Sequence, residues 1–219
     1  MSRIRRRSGN AVTEFCSLIE WVPDVVFQVG VGHNHDETLC FEEHWPDVLL
    51  IGCDPIHVKD YPGLFHDCLI SRVSGEVPFF YLKGHQDGSS MFEPPPRNNP
   101  VLDRIVQSRP LSDFSPGGNC LLWLDCEGAE YEALASGKEF LRGVKMVNVE
   151  MTGYPRTKQW PRPLEVHGIL VRNGFFKTWV HTTRSCRGQF DAIYVKKELF
   201  DPRFCSDPGE HRRWIEEQQ

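Results

Sequence analysis

The chain has 219 residues, 40% hydrophobic and 25% charged, a composition typical of a soluble globular domain with a substantial core. Its net charge of −5 argues against a surface that coats nucleic acid, and no apolar run approaches the ~20 residues of a membrane span. Eight scattered cysteines without a C-x-x-C pair, and a basic N-terminus without an apolar signal-peptide core, predict a cytoplasmic protein with reduced thiols and no metal site.

The N-terminal segment is predicted to contain one helix. Apolar residues with i, i+3, i+4, i+7 spacing indicate an amphipathic helix at 11–22, which Pro23 ends. The basic cluster before it is interpreted as a solvated end rather than as a phosphate or nucleic-acid contact. We expect a single domain, residues 1–219, made of this N-terminal segment (1–22), a core (23–197) and a polar tail (198–219).

Two strands and the turn between them suggest a nucleoside site. A buried strand at 25–29 runs into Gly30 and Gly32, which let the backbone approach a ligand closely, and a helix is expected at 34–45. A second buried strand ends in Asp54, 22 residues after Gly32. That spacing suits a carboxylate that accepts hydrogen bonds from ribose hydroxyls; the alternative is a turn residue before a proline.

The middle of the chain has weaker patterns. Strands are expected at 68–72 and 76–82, and Pro78 indicates that the second of them lies at an edge. The segment 83–99 is rich in Gly, Ser and Pro, and it is interpreted as a lid or binding loop rather than as a domain boundary. A short helix is expected at 100–108.

The stretch that begins at Leu121 changes character abruptly. The apolar run Leu121–Leu124 is typical of a strand buried on both faces, and Asp125 and Glu127 follow it, where parallel sheets bind ligands. The alternatives to a functional role are that Asp125 is a turn residue and that Glu127 is an acid at the start of a helix. Cys126 is interpreted as a buried thiol, because no His or Asn lies nearby in sequence to activate it.

From Glu127 onward a helix is predicted. Glu130 and Glu132 are expected to be solvated helix residues, and Gly137 to be its left-handed C-terminal cap.

The last part of the core repeats the strand–helix pattern. A strand over 145–150 ends in Glu150, and a helix is expected at 164–173. Two strands, 175–180 and 189–195, are joined by a short connection that favours an antiparallel pair. The loop after Glu150 either reads an acceptor molecule or is a solvated loop with one packed tryptophan; its candidates are Arg156, Lys158, Trp160 and Arg162.

This alternation predicts a doubly wound α/β sheet. The first loop reads G-x-G-x-x-H, with His35 in the place of the third glycine that dinucleotide binders use beside the pyrophosphate. The pattern therefore favours a nucleoside ligand without a pyrophosphate, of which S-adenosylmethionine is the obvious candidate. An NAD-dependent oxidoreductase remains the alternative.

The sequence resembles the FkbM-type family of S-adenosylmethionine-dependent methyltransferases over residues 23–197. The motifs are Val26–Asn34 (first motif), Cys53–Pro55 (its Phe-Glu-Pro), Gly88–Met91 (its Ser-Ser-Leu) and Leu124–Glu130 (its Ile-Asp-Val-Glu-Gly-Ala-Glu). The resemblance implies the Rossmann-like class I fold, a mostly parallel seven-stranded sheet with an antiparallel last strand. It also implies methyl transfer, usually to a hydroxyl oxygen, here of a sugar, glycan or other small molecule.

The resemblance suggests which residues bind the cofactor. Main-chain N–H groups from Gly30 through Gly32 to Asn34 would receive its carboxylate, and Gln28, in place of the family's usual acid, would serve the methionine part. Asp54 would accept from the ribose hydroxyls. Ser89 and Ser90 would contact the adenine edge or close the lid, and Asp125 would face the ammonium and sulfonium cations.

A hydroxyl acceptor also needs a proton acceptor, for which Glu127 is the first candidate, Glu150 the second and His181 the third. A divalent cation held by acids and histidines is an alternative that no spacing supports. Gln28 keeps open a non-catalytic binding module, and the missing Asn-Pro-Pro-Tyr-type motif argues against nucleic-acid methylation.

Overall fold

The computed structural model describes residues 8–32, 35–82, 88–93, 101–152, 159–182 and 189–204, without the side chains of 8–10, 101–103 and 179–182. Alternating strands and helices occupy these ranges. The helices are α1 (Ser8–Leu18), α2 (Asp36–His44), α3 (Glu130–Ala135), α4 (Phe140–Gly143) and α5 (Pro163–Arg172). The strands are β1 (Val25–Val29), β2 (Leu49–Asp54), β3 (Leu64–Asp67), β4 (Leu69–Ile70), β5 (Gly75–Leu82), β6 (Val101–Arg109), β7 (Cys120–Leu124), β8 (Val144–Thr152), β9 (Phe175–Thr182) and β10 (Gln189–Lys196).

The main sheet has seven strands in the order β3-β2-β1-β7-β8-β10-β9. The strands from β3 to β8 pair in parallel, and β10 runs antiparallel to both β8 and β9. Every residue of β1 and β7 is buried, as expected for central strands of a parallel sheet covered on both faces. This topology confirms the predicted doubly wound sheet with its last strand antiparallel.

Helices cover both faces of this sheet. On one face α1 and α2 bury Phe15 and Phe41 against Trp123 of β7. On the other face α3, α4 and α5 bury Leu134, Phe140 and Leu170 against the alternate residues of the same strands. None of the helices in the described part of the chain is long and apolar enough to cross a membrane.

A second, three-stranded sheet has the order β4-β6-β5 and corrects two predictions. The helix expected at 100–108 is wrong, because β6 pairs antiparallel with β5 along its length, from Gly75 opposite Ser108 to Leu82 opposite Val101. The third strand of the main sheet is Leu64–Asp67, and the predicted segment 68–72 supplies only the short β4 to the second sheet. β5 lies at an edge, as Pro78 indicated.

Helix ends also differ from the predictions. α1 begins and ends earlier than 11–22, and α3 begins at Glu130 instead of Glu127. The left-handed cap predicted at Gly137 is wrong, because Gly137 does not have positive φ. The helix ends at Ser136 in right-handed conformation. A glycine is needed at 137 because Leu111 lies against it. A Cβ at Gly137 would lie 2.7 Å from Cδ2 of Leu111.

Candidate active site

A cleft lies over the carboxyl ends of β1, β2 and β7, where the strand order reverses direction on either side of β1. It contains about 470 Å³ of open space. The predicted site residues among those that line it are Gly30, Gly32, Asp54, Ser89, Asp125 and Glu127. The structure thus brings together residues that are up to 97 positions apart (30 to 127) in the chain.

The loop after β1 is held tightly between its two neighbours. The main-chain N–H of Gly30 donates to the carbonyl of Cys53 at 3.0 Å, and that of Asp125 donates to the carbonyl of Val29 at 3.0 Å. Gly30 has φ +79° and Gly32 has φ +72°, so both adopt the left-handed region that favours glycine. A Cβ at Gly30 would lie 1.8 Å from the carbonyl oxygen of Asp125, which leaves room only for glycine.

Asp54 is bonded to the main chain of the same loop. Its Oδ2 accepts hydrogen bonds from the N–H groups of Val31 at 2.9 Å and Gly32 at 3.2 Å, and its Oδ1 accepts from Ile56 at 2.7 Å. The side chain is buried and lines the cleft. The carboxylate therefore shapes the glycine loop in addition to any contact with a ligand, a role that the sequence analysis missed.

Gln28 is not brought into the cleft. Its Oε1 accepts hydrogen bonds from Oγ1 of Thr38 at 2.7 Å and from the hydroxyl of Tyr61 at 3.0 Å, on the face covered by α2. Tyr61 lies over Gly52, where a Cβ would come within 2.8 Å of its ring. Gln28 thus joins the first turn of α2 to the sheet. Asn34, the last residue of the predicted carboxylate site, lies outside the described residues.

Residues 125–129, which we call the acidic turn, carry Asp125 and Glu127. Glu127 has φ +50°, an unusual conformation for a residue with a Cβ, and Gly128 has φ +97°. Glu130 is buried, at 4% exposed, and its Oε1 accepts from the N–H groups of Cys126 and Gly128, both at 3.2 Å. The prediction of a solvated Glu130 is therefore wrong, because its carboxylate closes the turn that precedes its helix.

Two further segments contact the acidic turn. The hydroxyl of Ser90 donates to the carbonyl of Glu127 at 2.7 Å, and Ser90 also forms an isolated bridge with Phe80 of β5. Trp160 is buried against the turn, and a Cβ on Gly128 would lie 2.5 Å from its ring. Trp160 is therefore a packed residue. Ser89, beside Ser90, accepts from the N–H of Leu82 at 3.1 Å.

Two carboxyl groups at this edge of the sheet, Asp125 and Asp191, have a raised pKa. Burial, followed by the charges of Glu150 and Glu127, raises the pKa of Asp125 well above its ordinary value. Burial also raises the pKa of Asp191 to about 7, although the neighbouring Asn148 side chain opposes this rise. Asp191 was not predicted as a site residue, although its place at the start of the last strand puts it at the carboxyl edge of β8.

The remaining candidates lie beside the cleft or outside the described part. Glu150 is opposite Asp191 in the β8–β10 register and accepts from Nε2 of Gln189 at 3.2 Å. His181 is opposite Asp191 on β9, but its side chain, like Arg156 and Lys158, is not described. Within the described ranges no group of three or more His, Cys, Asp or Glu side chains has an arrangement suited to a metal ion.

The strand order and the position of the cleft are those of the class I methyltransferase fold. The family model named "Methyltransferase FkbM domain" matches residues 12–177, more than half of the chain. The chain therefore belongs to the FkbM family of S-adenosylmethionine-dependent methyltransferases.

Solved structures with a similar architecture are also methyltransferases. Magnesium protoporphyrin IX methyltransferase from Synechocystis PCC 6803, with bound SAH, is 12% identical with a TM-score of 0.49, over 87% of this chain and 82% of that chain. The 1,6-didemethyltoxoflavin-N1-methyltransferase from Burkholderia thailandensis, with bound 1,6-didemethyltoxoflavin and S-adenosylhomocysteine, is 10% identical with a TM-score of 0.46, over 88% and 79%. No curated protein sequence matches the chain.

Proposed function

We propose that the protein transfers a methyl group from S-adenosylmethionine to a hydroxyl oxygen of a sugar, glycan or other small molecule. One observation carries the cofactor part of this proposal: Gly32, Asp54 and Asp125 line the same cleft at the point where the strand order reverses. These three residues come from the ends of three different strands. A glycine loop that a ligand can approach closely, an acceptor for ribose hydroxyls and an anion are what a cationic adenosyl donor needs.

The glycine loop after β1 fits the cofactor's carboxylate. Gly30 leaves no space for a side chain, so the loop backbone itself forms the floor of the cleft. His35, the N-cap of α2, makes no side-chain cap hydrogen bond, and the start of a helix is a favourable place for an anion. The N–H of Gly32 donates to Asp54, so Asp54 holds the loop in the shape that would receive the cofactor's carboxylate.

The wall opposite the glycine loop fits the adenosine. Ile56, Leu69 and Phe79 line the cleft beside Asp54 and pack together as part of a small apolar core beneath the second sheet. A flat apolar adenine ring suits such a wall, and Asp54 lies where the adjoining ribose hydroxyls would be accepted. Ser89 lines the same region and can meet the polar edge of the base.

The acidic turn fits the cofactor's positive end. Asp125 lies on the opposite side of the glycine loop from Asp54, and an anion there stabilises the ammonium and sulfonium groups in a partly dehydrated cleft. When bound, the cofactor supplies an electrophilic methyl group. The protein's own contribution is to align an acceptor with it, which in favourable cases is worth ~7–11 kcal/mol.

Glu127 is our choice for the group that takes the acceptor proton. It lines the cleft two residues after Asp125, whereas Glu150 is not among the lining residues. Glu150 and His181 remain second and third choices at the neighbouring strand ends. Arg162, with the loop before it, would contact the acceptor, and Gln28 would act on the methionine part only through the start of α2.

Calorimetry with S-adenosylhomocysteine tests the cofactor assignment, with NAD as the comparison ligand. We expect saturable binding of S-adenosylhomocysteine and none of NAD, and loss of binding in Asp125→Ala. Turnover is then measured by mass spectrometry as a gain of one methyl group on a panel of sugars and hydroxylated small molecules. Absence of S-adenosylhomocysteine binding at millimolar concentration would refute the proposal, and methylation only of amines or thiols would refute its hydroxyl part.

A further inference from the structure

We infer that Glu130 is a positioning residue of the methyl-transfer site, a role that rests on the proposed function: its buried carboxylate holds the acidic turn so that Asp125 and Glu127 face the cleft. Glu130 is the first residue of α3 and follows the turn directly. It is not among the residues that line the cleft, so it acts through the turn rather than on a ligand.

The hydrogen bonds of Glu130 are placed symmetrically about Glu127. A single oxygen, Oε1, accepts from Cys126 on one side of Glu127 and from Gly128 on the other, at 3.2 Å in both cases. The two N–H groups must therefore point to the same spot, which fixes the orientation of the peptide plane between Asp125 and Cys126 and of the plane between Glu127 and Gly128. The first plane follows Asp125 and the second follows Glu127, so Glu130 constrains the backbone on the C-terminal side of both residues.

The conformation held in this way is one that the chain would not adopt freely. Glu127 has φ +50°, in a region where an L-residue's Cβ crowds the backbone. Gly128, with φ +97°, also has left-handed backbone, which glycine tolerates. Without Glu130, two enclosed N–H groups would lose their partner, and an unpaired buried donor destabilises the arrangement that buries it.

Burial of a carboxylate is itself unfavourable and needs a compensating interaction. Glu130 is 4% exposed, yet its partners are main-chain donors of the turn. Glu132, two residues later on the same helix, instead forms an ion pair with Arg72 at 2.6 Å. Two acids on one short helix thus have different surroundings, and only Glu130 contacts the turn.

Two other segments also contact the acidic turn and fix its position relative to the cleft. Ser90 donates to the carbonyl of Glu127, and the ring of Trp160 covers Gly128. These contacts come from the segment after β5 and from the segment before α5. They place the turn as a block, whereas the acceptor for the N–H groups of Cys126 and Gly128 within the described residues is Glu130.

Four variants of the full chain test this role: Glu130→Gln, Glu130→Asp, Glu130→Ala and the matched control Glu132→Gln. Glutamine keeps an oxygen at the Oε1 position, whereas aspartate keeps the charge but loses one methylene of reach. We measure amide hydrogen exchange at Cys126 and Gly128 by NMR, S-adenosylhomocysteine affinity by calorimetry, and kcat and KM separately, after circular dichroism has shown that each variant is folded.

We expect Glu130→Gln and Glu132→Gln to match the unmodified protein. Glu130→Ala and Glu130→Asp should exchange the two amides at least about tenfold faster and bind S-adenosylhomocysteine about tenfold more weakly, because the turn loses its shared acceptor. kcat should fall more than KM rises, since Glu127 loses its alignment with the acceptor. If alanine fails to fold, the aspartate variant carries the comparison.

Unchanged exchange in a folded Glu130→Asp or Glu130→Ala variant would overturn the inference. So would a glutamine variant as impaired as alanine, because charge rather than the acceptor position would then be the requirement. If the unmodified protein fails to bind S-adenosylhomocysteine, the proposed function falls, while the exchange rates at Cys126 and Gly128 still decide whether Glu130 holds the turn.

Discussion

Gly30 lies against the main chain of Asp125, so closely that an added Cβ would come within 1.8 Å of the Asp125 carbonyl oxygen. This contact joins the loop after β1 to the acidic turn, two neighbouring segments that both line the cleft. Gly30→Ala must therefore push the two segments apart and also strain a residue with φ +79°. We expect at least about a hundredfold loss of S-adenosylhomocysteine affinity and a loss of unfolding free energy of ~1–3 kcal/mol from backbone strain alone.

The matched control is Gly75→Ala. Gly75 also has positive φ, +100°, but nothing lies within 4 Å of the Cβ position there. Its substitution costs backbone strain without a steric collision, so thermal unfolding should shift while S-adenosylhomocysteine affinity stays unchanged. Equal affinity losses in the two variants would show that strain, rather than the contact with Asp125, governs binding.

A second prediction concerns Asp54. Its carboxylate accepts from three main-chain N–H groups, and an asparagine in its place turns one acceptor into a donor facing those groups. Asp54→Asn should lower the unfolding free energy by ~1–3 kcal/mol and weaken S-adenosylhomocysteine binding more than tenfold. Calorimetry and chemical denaturation give the two quantities.

Asp67→Asn is the control for Asp54→Asn. Asp67 is the register partner of Asp54 on β3, but its side chain is exposed and pairs with His57. We expect near-normal binding and stability in this variant, because exposed ion pairs contribute little. If both variants bind normally, Asp54 has no role in shaping the glycine loop.

Ser90→Ala gives a third prediction. The variant loses the hydrogen bond to the carbonyl of Glu127 and the one received from the N–H of Phe92. We expect a fall in kcat of about fivefold to tenfold at nearly constant KM for S-adenosylmethionine, because the acidic turn keeps its Glu130 contacts but moves relative to the cleft. Ser74→Ala, at an exposed position, should leave steady-state rates unchanged; a normal Ser90→Ala would show that the hydroxyl is dispensable.

The central strands were predictable from the sequence because their signals are local. Continuous apolar runs that end in Gly30 or in Asp125 identify strands buried on both faces, and parallel pairing then brings their ends together. The prediction of a helix at 100–108 was wrong because the apolar residues of that segment fit both a helical and a strand periodicity. Its pairing with β5, 19 residues away in the closest case (82 to 101), decides its conformation.

The roles of Gln28 and Glu130 were harder to infer, for two different reasons. Alternation along β1 places Gln28 on the same face as Val26, which packs beneath α1 and α2, so a period-2 reading contained the signal that Gln28 points away from the cleft. Glu130 gave no such signal. Its burial depends on the left-handed conformation of Glu127. A positive φ at a non-glycine residue cannot be predicted from the residue type.

Stability should depend on pH partly through Asp191, beside the other buried carboxyl groups whose pKa is raised, Asp125 and Glu130. Burial raises the folded-state pKa of Asp191 to about 7 from 3.8, so between these pH values the folded protein binds more protons than the unfolded chain. The free energy of unfolding should therefore fall as pH rises from about 4 to 7, by at most ~4 kcal/mol, and then level off. Asp191→Asn should lose the Asp191 part of this slope and be the more stable protein above pH 7, as measured by denaturant unfolding.

The control for this pH dependence is Asp201→Asn. Asp201 is exposed and paired with Arg203, which lowers its pKa, so its own contribution changes only in more acidic solution. This variant should keep the slope between pH 4 and 7. A slope in Asp191→Asn as steep as in the unmodified protein would contradict the prediction and assign the titration to the other carboxyl groups.

The last prediction follows from the charge of the ligand. Burial and the carboxylates of Glu150 and Glu127 raise the pKa of Asp125 well above its ordinary value, which favours its protonated form in the free protein. A cation beside it favours the ionised form, so binding should release protons. S-adenosylmethionine carries a sulfonium charge that S-adenosylhomocysteine lacks, and it should release more, up to about one proton per site.

Calorimetry in buffers of different ionisation enthalpy counts the released protons from the slope of the binding enthalpy. The difference between the two ligands should persist in Asp67→Asn and disappear in Asp125→Asn, where no carboxyl group remains to ionise. Because both ligands share the same carboxylate and ammonium groups, their difference isolates the sulfonium. Equal release by the two ligands in the unmodified protein would place Asp125 too far from the sulfonium to stabilise it, and would leave alignment by Glu127 and its turn as the main contribution of this edge of the sheet.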